Sequence, residues 1–249
     1  MLPRSVGTRT AIGRIGGDAV GAVIRAALAD DGVDTSGLVT VPGAPTPVCV
    51  VYTRADGENA MVWQVPPGFA VTADALLVTF DSPEEVGRLI SAAGERGLRV
   101  ALNPVPLAAD PSVLGDVPWE KVDIVVPNEV EARALLHGHR AADGPAHRLA
   151  DAIADELGVP TVCVTLAERG CVLRIGGTTT AHPAPPADVV DTTAASDAFT
   201  AVLCARLIVG DGSAAAVREA QRAAALTVAR PGSYEALPTA AELRGGPGI

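Results

Sequence analysis

The chain has 249 residues, 48% of them hydrophobic, and a formal net charge of −10 from 29 acidic and 19 basic side chains. That length is enough for one large α/β domain with a substantial core. The excess of negative charge disfavours nucleic acid and anionic membranes as partners, so a bound anion would require locally positive groups or a divalent cation.

Cysteine usage and hydropathy indicate a reducing compartment. Cys49, Cys163, Cys171 and Cys204 have no metal-ligand spacing, and the last three lie in apolar or Ala-rich segments. These features predict buried free thiols. No apolar run is long enough to cross a bilayer, and no signal peptide is recognisable. We therefore expect a cytoplasmic protein.

The first third of the chain contains a helix and a hairpin. Residues 16–21 predict the start of a helix that ends near Asp31. Farther on, residues 47–53 and 58–63 flank an Asp-Gly turn and predict a β-hairpin, within a segment of about residues 46–65. No repeat or low-complexity linker interrupts the sequence, so residues 1–249 are expected to form a single domain.

Short apolar strands alternate with helices in the rest of the chain. The predicted strands cover residues 99–102, 124–126, 161–165 and 171–175, with a turn at residues 176–177. The predicted helices cover residues 83–96, 129–137, 146–157, 198–209 and 214–229. This alternation predicts an α/β fold with a mostly parallel central sheet covered by helices on both faces. Ligands of such sheets bind beyond the carboxyl ends of the strands.

The most informative segment is DTTAASDAF at residues 191–199. It predicts a strand end at residues 187–190, a turn of small residues, and a helix that begins at Ala198. Backbone N–H groups at such a turn, together with the helix dipole, favour an anion such as phosphate. Asp197 is suited to accept a proton from a substrate hydroxyl beside that anion. The alternative is an Asp that only caps the helix, and spacing alone does not decide between them.

Two further motifs precede this segment, PNEVEA at residues 127–132 and VTLAERG at residues 164–170. In this order and spacing, the three motifs resemble those of the ribokinase-like sugar kinases, the PfkB carbohydrate kinases. The resemblance extends from about residue 11 to residue 243. It implies a ribokinase-like fold in which the hairpin belongs to a small β lid. It also implies transfer of the γ-phosphoryl of ATP to a primary sugar hydroxyl, with ribose as the preferred substrate over fructose, 2-keto-3-deoxygluconate, tagatose 6-phosphate or a nucleoside.

The resemblance assigns roles to individual residues. Asp197 would be the catalytic base, beside an anion hole formed by Ala194, Ala195 and Ser196. The positions that match the family's nucleotide site are Asn128, Thr165, Ala167, Glu168, Arg169, Gly170, Ser196 and Gln221. Without the resemblance, a helical Gln such as Gln221 is typical of a solvated surface.

Two cations are implied in the same way. Asn128 and Glu131 would order Mg²⁺, with Glu131 acting through water because this ion keeps part of its hydration shell. From the residues alone, the pair is more typical of an Asn helix cap with an acidic first turn. The positions that match a monovalent cation site, for potassium in particular, are Asp191, Thr193, Thr227, Arg230, Gly232 and Ala236.

The sugar site is the least complete part of the resemblance. Asp81 matches a carboxylate that hydrogen-bonds the sugar together with Asp197, although it is equally typical of a cap for the following helix. The chain starts at what would be the family's second main strand, so the first strand is expected to be missing. The sugar-gripping Gly-Gly-Lys motif does not occur in the sequence.

Two substitutions at glycine positions leave a second hypothesis open. Ser196 and Ala167 stand where the family has Gly, and a side chain there is strained if the residue requires a positive φ. The chain would then be a truncated or degenerate kinase-fold protein that binds nucleotide or sugar without efficient catalysis. Under either hypothesis its partners are a small sugar and ATP, and hairpin pairing implies a homodimer.

Overall fold

The structure is a computed structural model, and it describes residues 10–46, 50–53, 59–62, 75–79, 83–104, 115 and 117–244. The strands in these ranges are β1 (Thr10–Gly16), β2 (Asp34–Val41), β3 (Val50–Thr53), β4 (Asn59–Val62), β5 (Ala75–Thr79), β6 (Arg99–Asn103), β7 (Ile124–Val125), β8 (Thr161–Thr165), β9 (Cys171–Ile175) and β10 (Thr178–His182). The α-helices are α1 (Ala19–Asp30), α2 (Pro83–Glu95), α3 (Glu129–Leu135), α4 (Ala146–Leu157), α5 (Ala195–Ile208), α6 (Ser213–Val228) and α7 (Ala240–Arg244). Among the helices described, none has the length and apolar character that a membrane span requires.

Six strands form the central sheet, in the order β10-β9-β8-β7-β6-β5. The four strands from β5 to β8 are parallel to one another, whereas β9 runs antiparallel to both β8 and β10. The predicted α/β fold with a mostly parallel sheet is therefore confirmed, with an antiparallel hairpin at one edge that makes the sheet mixed. That hairpin turns at Gly176 and Gly177, as the sequence predicts, and both glycines have positive φ.

Alternate residues along β6 to β9 pack into two hydrophobic clusters, one on each face of the sheet. In β6, Val100 and Leu102 belong to the cluster covered by α2, α3 and α4, whereas Ala101 belongs to the cluster covered by α5 and α6. Burial on both faces explains why the strands are continuous apolar runs rather than alternating ones. The second cluster also contains Cys163, Cys171 and Cys204, which are buried free thiols as predicted.

The N-terminal part forms a small parallel β1–α1–β2 unit. Asp18 caps α1 by accepting a hydrogen bond from the Gly21 N–H at 2.8 Å, and it also accepts from the N–H and hydroxyl of Thr46. These bonds, with the Thr46 hydroxyl first, lower the pKa of Asp18 to about 2. The Tyr234 hydroxyl donates to Asp31 at 2.6 Å and so joins the end of α1 to the C-terminal region.

The predicted hairpin is confirmed by the antiparallel strands β3 and β4, in which Val51 pairs with Met61. The Asp-Gly turn between them and the residues that follow β4 lie outside the described residues. The single-domain prediction and the assignment of residues 46–65 to a lid remain predictions.

The prediction of a strand at residues 187–190 is wrong. Residues 183–189 have no regular secondary structure, and the prolines at 183, 185 and 186 cannot donate to a ladder. Instead of pairing with a strand, the N–H groups of Val190 and Asp191 both donate to the carbonyl of Val228, the last residue of α6, at 2.7 and 3.1 Å. The helix after the turn begins at Ala195, three residues earlier than predicted, and the helix predicted at 129–137 ends at Leu135.

Candidate active site

The carboxyl ends of the parallel strands bring the first two motifs together. Asn128 follows β7 and forms a parallel bridge with Thr165, the last residue of β8. The Thr165 N–H donates to the Pro127 carbonyl at 2.9 Å. The two implied nucleotide positions Asn128 and Thr165 are therefore direct neighbours, although 37 positions separate them in the chain (165 − 128).

Asn128 and Glu131 form a reciprocal cap at the start of α3. The Asn128 side chain accepts from the Glu131 N–H at 2.9 Å, and the Asn128 N–H donates to Glu131 Oε2 at 2.8 Å. The helix-cap interpretation of this pair is therefore confirmed. Burial of Glu131 raises the pKa of its carboxyl above the ordinary value. A carboxylate has two oxygens, so a cap of this kind remains compatible with a second contact to a metal-bound water.

The turn that follows β8 contains the other nucleotide positions. Ala167, Glu168 and Arg169 form one turn of 3₁₀-helix, and Gly170 closes it by accepting from the Leu166 N–H at 2.8 Å. Gly170 has a φ of 92°, and a Cβ there would lie 2.6 Å from the Ala184 nitrogen. This glycine is therefore required both by its backbone conformation and by close packing against the segment after β10.

An ion pair joins this turn to α3. Arg169 pairs with Glu129, which also accepts from Arg133 one helical turn away at 2.8 Å. The Arg133 bond, followed by the Arg169 contact, holds the pKa of Glu129 below its ordinary value. Glu129 had no role in the sequence-based prediction, although the (i, i+4) spacing of Glu129 and Arg133 is a recognisable signal for the local half of this network.

The third motif forms the turn before α5. Ala194 has a left-handed conformation with φ of 62° and ψ of 2°, and the helix begins at the next residue. Ser196 and Asp197 are exposed in the first helical turn, where backbone N–H groups have no acceptor within the helix. The turn therefore presents backbone donors beside the Asp197 carboxylate, as an anion site with an adjacent base requires.

The backbone strain expected from the missing glycines occurs at only one of the two anticipated positions. Among the described non-glycine residues, positive φ values occur at Ala167 (52°) and Ala194 (62°). Ala167 is one of the two expected positions. Ser196 lies within α5 and has no positive φ, so its side chain adds no left-handed strain.

Ala194→Gly should leave the free energy of unfolding unchanged or raise it by up to about 1 kcal/mol, because relief of the left-handed conformation offsets the added entropy of the unfolded glycine. In the interior of the same helix, Ala205→Gly should instead cost about 1 kcal/mol. Urea denaturation of both variants measures the difference. An equal loss of stability in the two proteins would contradict the strain at Ala194.

The positions implied for a monovalent cation lie on the loop before α5, in the last turn of α6 and on the loop after it, and Asp191 joins the two loops. Asp191 is buried and accepts from the Thr193 N–H at 2.9 Å and from the Gly232 N–H at 3.0 Å. Thr193 and then Gly232 lower the pKa of Asp191. Thr227 is also buried, and its carbonyl accepts from the Arg230 N–H at 3.1 Å.

The other two implied cation positions differ in their surroundings. The Arg230 guanidinium pairs with Glu242 on α7, and Ala236 is fully buried. Glu242 accepts from Arg230 and from Thr239, and these contacts lower its pKa to about 2. Among the described residues, no cluster of three or more His, Cys, Asp or Glu side chains has the arrangement of a metal site.

Gln221 is not the solvated side chain that the helix pattern predicts. It is buried on α6, and its Nε2 donates to the His182 carbonyl at 2.9 Å. Burial, and then the charge of Arg218, lowers the pKa of His182. Gln221 thus fixes the end of β10, against which the nucleotide turn packs at Gly170. Asp81, the implied sugar ligand, lies outside the described residues.

Comparisons with known proteins agree with the three motifs. The family model described as pfkB family carbohydrate kinase matches residues 2–240. Ribokinase from Haemophilus influenzae is 28% identical over 242 residues, which cover 92% of this chain and 78% of that protein. Ribokinase from Arabidopsis thaliana is 31% identical over 245 residues, covering 91% of this chain and 64% of that protein. The structure of Arabidopsis thaliana ribokinase complexed with ribose and ATP superposes with a TM-score of 0.79 at 27% identity, covering 95% of this chain and 80% of that one.

Proposed function

Since the chain belongs to the pfkB family of carbohydrate kinases and is a phosphotransferase that acts on a sugar hydroxyl, we propose that it transfers the γ-phosphoryl of ATP to a primary hydroxyl of ribose. The observation that carries the proposal is the position of the three motifs. Asn128 and Thr165 are paired at the carboxyl edge of the sheet, and Asp197 lies in the first turn of a helix packed on that sheet. Ribose is favoured because ribokinases are among the relatives.

In the proposed reaction, the Asp197 carboxylate accepts the proton of the sugar hydroxyl. The sugar oxygen forms a bond to the γ-phosphorus, the bond from that phosphorus to the β,γ-bridging oxygen breaks, and ADP leaves with the released electron pair. The backbone N–H of Ser196 at the start of α5 stabilises the charge on the migrating phosphoryl, together with that of Ala195, which also donates to the Thr192 carbonyl at 3.3 Å. Loss of one such donor typically raises the barrier by about 3 kcal/mol.

The nucleotide binds against the turn at residues 167–170 and the first turn of α3. Mg²⁺, when bound there, would offset the negative charge of the nucleotide phosphates. The carboxylate of Glu131 and the polar groups of Asn128 and Thr165 are oxygen-rich, which suits a hard cation that keeps several waters. Asp191 and the carbonyl groups of the loop around Gly232 would hold a potassium ion, whose positive charge would support the anion hole.

Glu131→Gln distinguishes the role of Glu131 in capping α3 from its proposed role in binding Mg²⁺. The Gln carbonyl can still accept the Asn128 N–H, so the cap is kept. We expect the magnesium concentration for half-maximal activity to rise at least about tenfold, as for other changes around metal ligands. A magnesium titration of ATP turnover measures this. Glu156→Gln, which changes an exposed acid on α4, is the matched control, and an equal magnesium requirement in both variants would exclude the metal role.

Glu131→Gln should also change how the stability of the protein depends on pH. The pKa of Glu131 is raised above 4.5 in the folded protein, so its contribution to stability is full below the unfolded-state pKa and is lost as the pH rises through the folded-state pKa. Gln does not titrate, so the variant should lack this decline and be at least as stable as the wild type at pH 7. Thermal unfolding from pH 4 to pH 8 without ligands tests this.

Coupled measurement of ADP release tests the proposed function, with ribose, fructose, 2-keto-3-deoxygluconate, tagatose 6-phosphate and a nucleoside as acceptors. Ribose should give the highest kcat/KM. A higher kcat/KM with another acceptor would overturn the ribose assignment. A thermal shift with ATP and magnesium but no ADP release from any acceptor would favour the non-catalytic binding protein. A cytoplasmic location and dimer formation through the hairpin are further parts of the proposal, tested by fractionation of cells and by light scattering.

A further inference from the structure

A buried amide side chain lies at the carboxyl edge of the sheet, beside the proposed site. Asn103 is the last residue of β6, and it pairs with Thr79 at the end of β5. Its residue surface is only 1% exposed. On the other side of β6, the next strand leads into Asn128. Asn103 therefore lies between the strand end that precedes Asp81 and the motif proposed to order magnesium.

Asn103 also contacts the helix that carries the proposed base. Its Nδ2 lies 3.5 Å from the hydroxyl of Thr200, which is likewise 1% exposed. Thr200 is three residues after Asp197, and residues three apart on an α-helix lie on the same side of it. The amide of Asn103 thus connects the end of β6 to the first two turns of α5.

The carbonyl oxygen of the Asn103 amide lacks a hydrogen-bond donor. Asn103 Oδ1 is buried and has no hydrogen-bond partner among the described residues. A buried carbonyl oxygen without a donor is unfavourable, so such groups in folded proteins are normally paired with protein, water or ligand. Burial and the missing donor together indicate a position that becomes complete when another molecule binds.

We propose that Asn103 is a further ligand-binding residue, whose Oδ1 accepts a hydrogen bond from an O–H donor that arrives with the ligands. The donor is either a water carried by Mg²⁺ or a hydroxyl of the sugar. Thr200 is a positioning residue that holds the amide so that Oδ1 faces this donor. The inference rests on the proposed function, because the nucleotide–metal complex and the sugar of that function both carry such donors.

Asn103→Leu tests the proposal, since Leu is similar in size and removes the unsatisfied oxygen. The ligand-free variant should unfold at about the same temperature as the wild type, because removing the unpaired Oδ1 offsets the loss of the long 3.5 Å contact with Thr200. Its kcat should nevertheless fall by about tenfold or more, as for a misplaced reacting group. A merely structural residue would give the opposite pattern, with a lower unfolding temperature and a normal kcat for the folded fraction.

Ligand-induced thermal shifts identify the donor. Three arms are compared for the wild type and Asn103→Leu: ADP alone, ADP with magnesium, and ribose alone. If Asn103→Leu loses only the extra thermal shift that magnesium adds to ADP, the donor is a metal-bound water. If the variant loses only the thermal shift with ribose, the donor is a sugar hydroxyl. Equal shifts in all three arms, with kcat within about twofold of the wild type, would overturn the proposal. If the wild type itself shows no shift in any arm, the proposed function fails and this inference fails with it.

Two milder variants keep the proposal testable if Asn103→Leu does not fold. Asn103→Asp retains an acceptor oxygen and should keep the ligand-induced shifts. Thr200→Val removes only the hydroxyl and should lower kcat by about threefold, with the shifts preserved. Thr161→Val is its matched control, because Thr161 is also buried but lies at the amino end of β8, away from the site. A loss of all shifts in Asn103→Asp would contradict the acceptor role.

Discussion

Asp197→Asn should lower kcat for sugar phosphorylation by about 10³-fold while ADP binding stays within a few-fold of the wild type, since a positioned general base contributes about 10²- to 10⁴-fold. The Asn side chain has nearly the same shape but cannot accept the hydroxyl proton at neutral pH. Asp197 is exposed in the first turn of α5. Loss of its charge should therefore cost at most about 1 kcal/mol of helix-dipole stabilisation.

ADP release at saturating ATP and ribose measures the first effect, and the ADP-induced thermal shift measures the second. Asp211→Asn is the matched control, because Asp211 lies just beyond the other end of the same helix, in a 3.4 Å ion pair with Arg206. That variant should retain a normal kcat. A near-normal rate in Asp197→Asn would exclude Asp197 as the base, whereas loss of the ADP shift would indicate a binding role instead.

The sequence predicts the sheet well where apolar runs end at strong breakers. β8 and β9 have the predicted bounds, because each is a run of buried residues and the second ends at Gly176 and Gly177. β10 was not predicted, since its sequence TTTAH carries no apolar pattern and most of its side chains are exposed. Its strand conformation comes from the hairpin pairing with β9, which a local pattern does not encode.

The meeting of the motifs could be predicted, whereas their contacts could not. The rule that ligands bind at the carboxyl ends of parallel strands is enough to bring Asn128 and Thr165 together. The ion pair of Glu129 with Arg169 and the bond from Gln221 to the His182 carbonyl join residues 40 and 39 positions apart. Each depends on how two separate elements pack, so neither was accessible from spacing within a motif.

Backbone conformation in the turn before α5 was the other feature that the sequence did not predict correctly. The small residues before α5 correctly predict a tight turn, which lies at Thr193 and Ala194, but the sequence does not show which residue takes the positive φ. The structure assigns it to Ala194, one residue before α5, because a left-handed residue there turns the chain into the helix. Ser196 can then be helical, so the substitution of Ser for the family's glycine does not by itself favour a degenerate protein.

Asp191→Asn should destabilise the protein and lower its activity together, because one carboxylate fixes both loops beside the anion hole. Asn retains one acceptor oxygen for the Thr193 N–H but turns its NH₂ group towards the Gly232 N–H, which loses its acceptor. Hydrogen bonds to charged groups contribute about 1.5–3 kcal/mol, so a loss of about 2 kcal/mol in the free energy of unfolding is expected. Displacement of the anion-hole turn should also reduce kcat by about tenfold or more.

The pH dependence of this loss follows from the pKa of Asp191, which Thr193 and Gly232 hold below its ordinary value of 3.8. The stabilisation is fully present above the unfolded-state pKa and is lost as the pH falls through the lower folded-state value, so the wild type and the variant should converge in stability in strong acid. Asp34→Asn is the matched control, because Asp34 accepts from the Ser36 N–H at 2.9 Å in an exposed turn at the start of β2. Its effect should stay within about 0.5 kcal/mol, as for other exposed sites. Equal losses at both positions, or a difference between Asp191→Asn and the wild type that does not narrow as the pH falls, would contradict stabilisation by the charged form of Asp191.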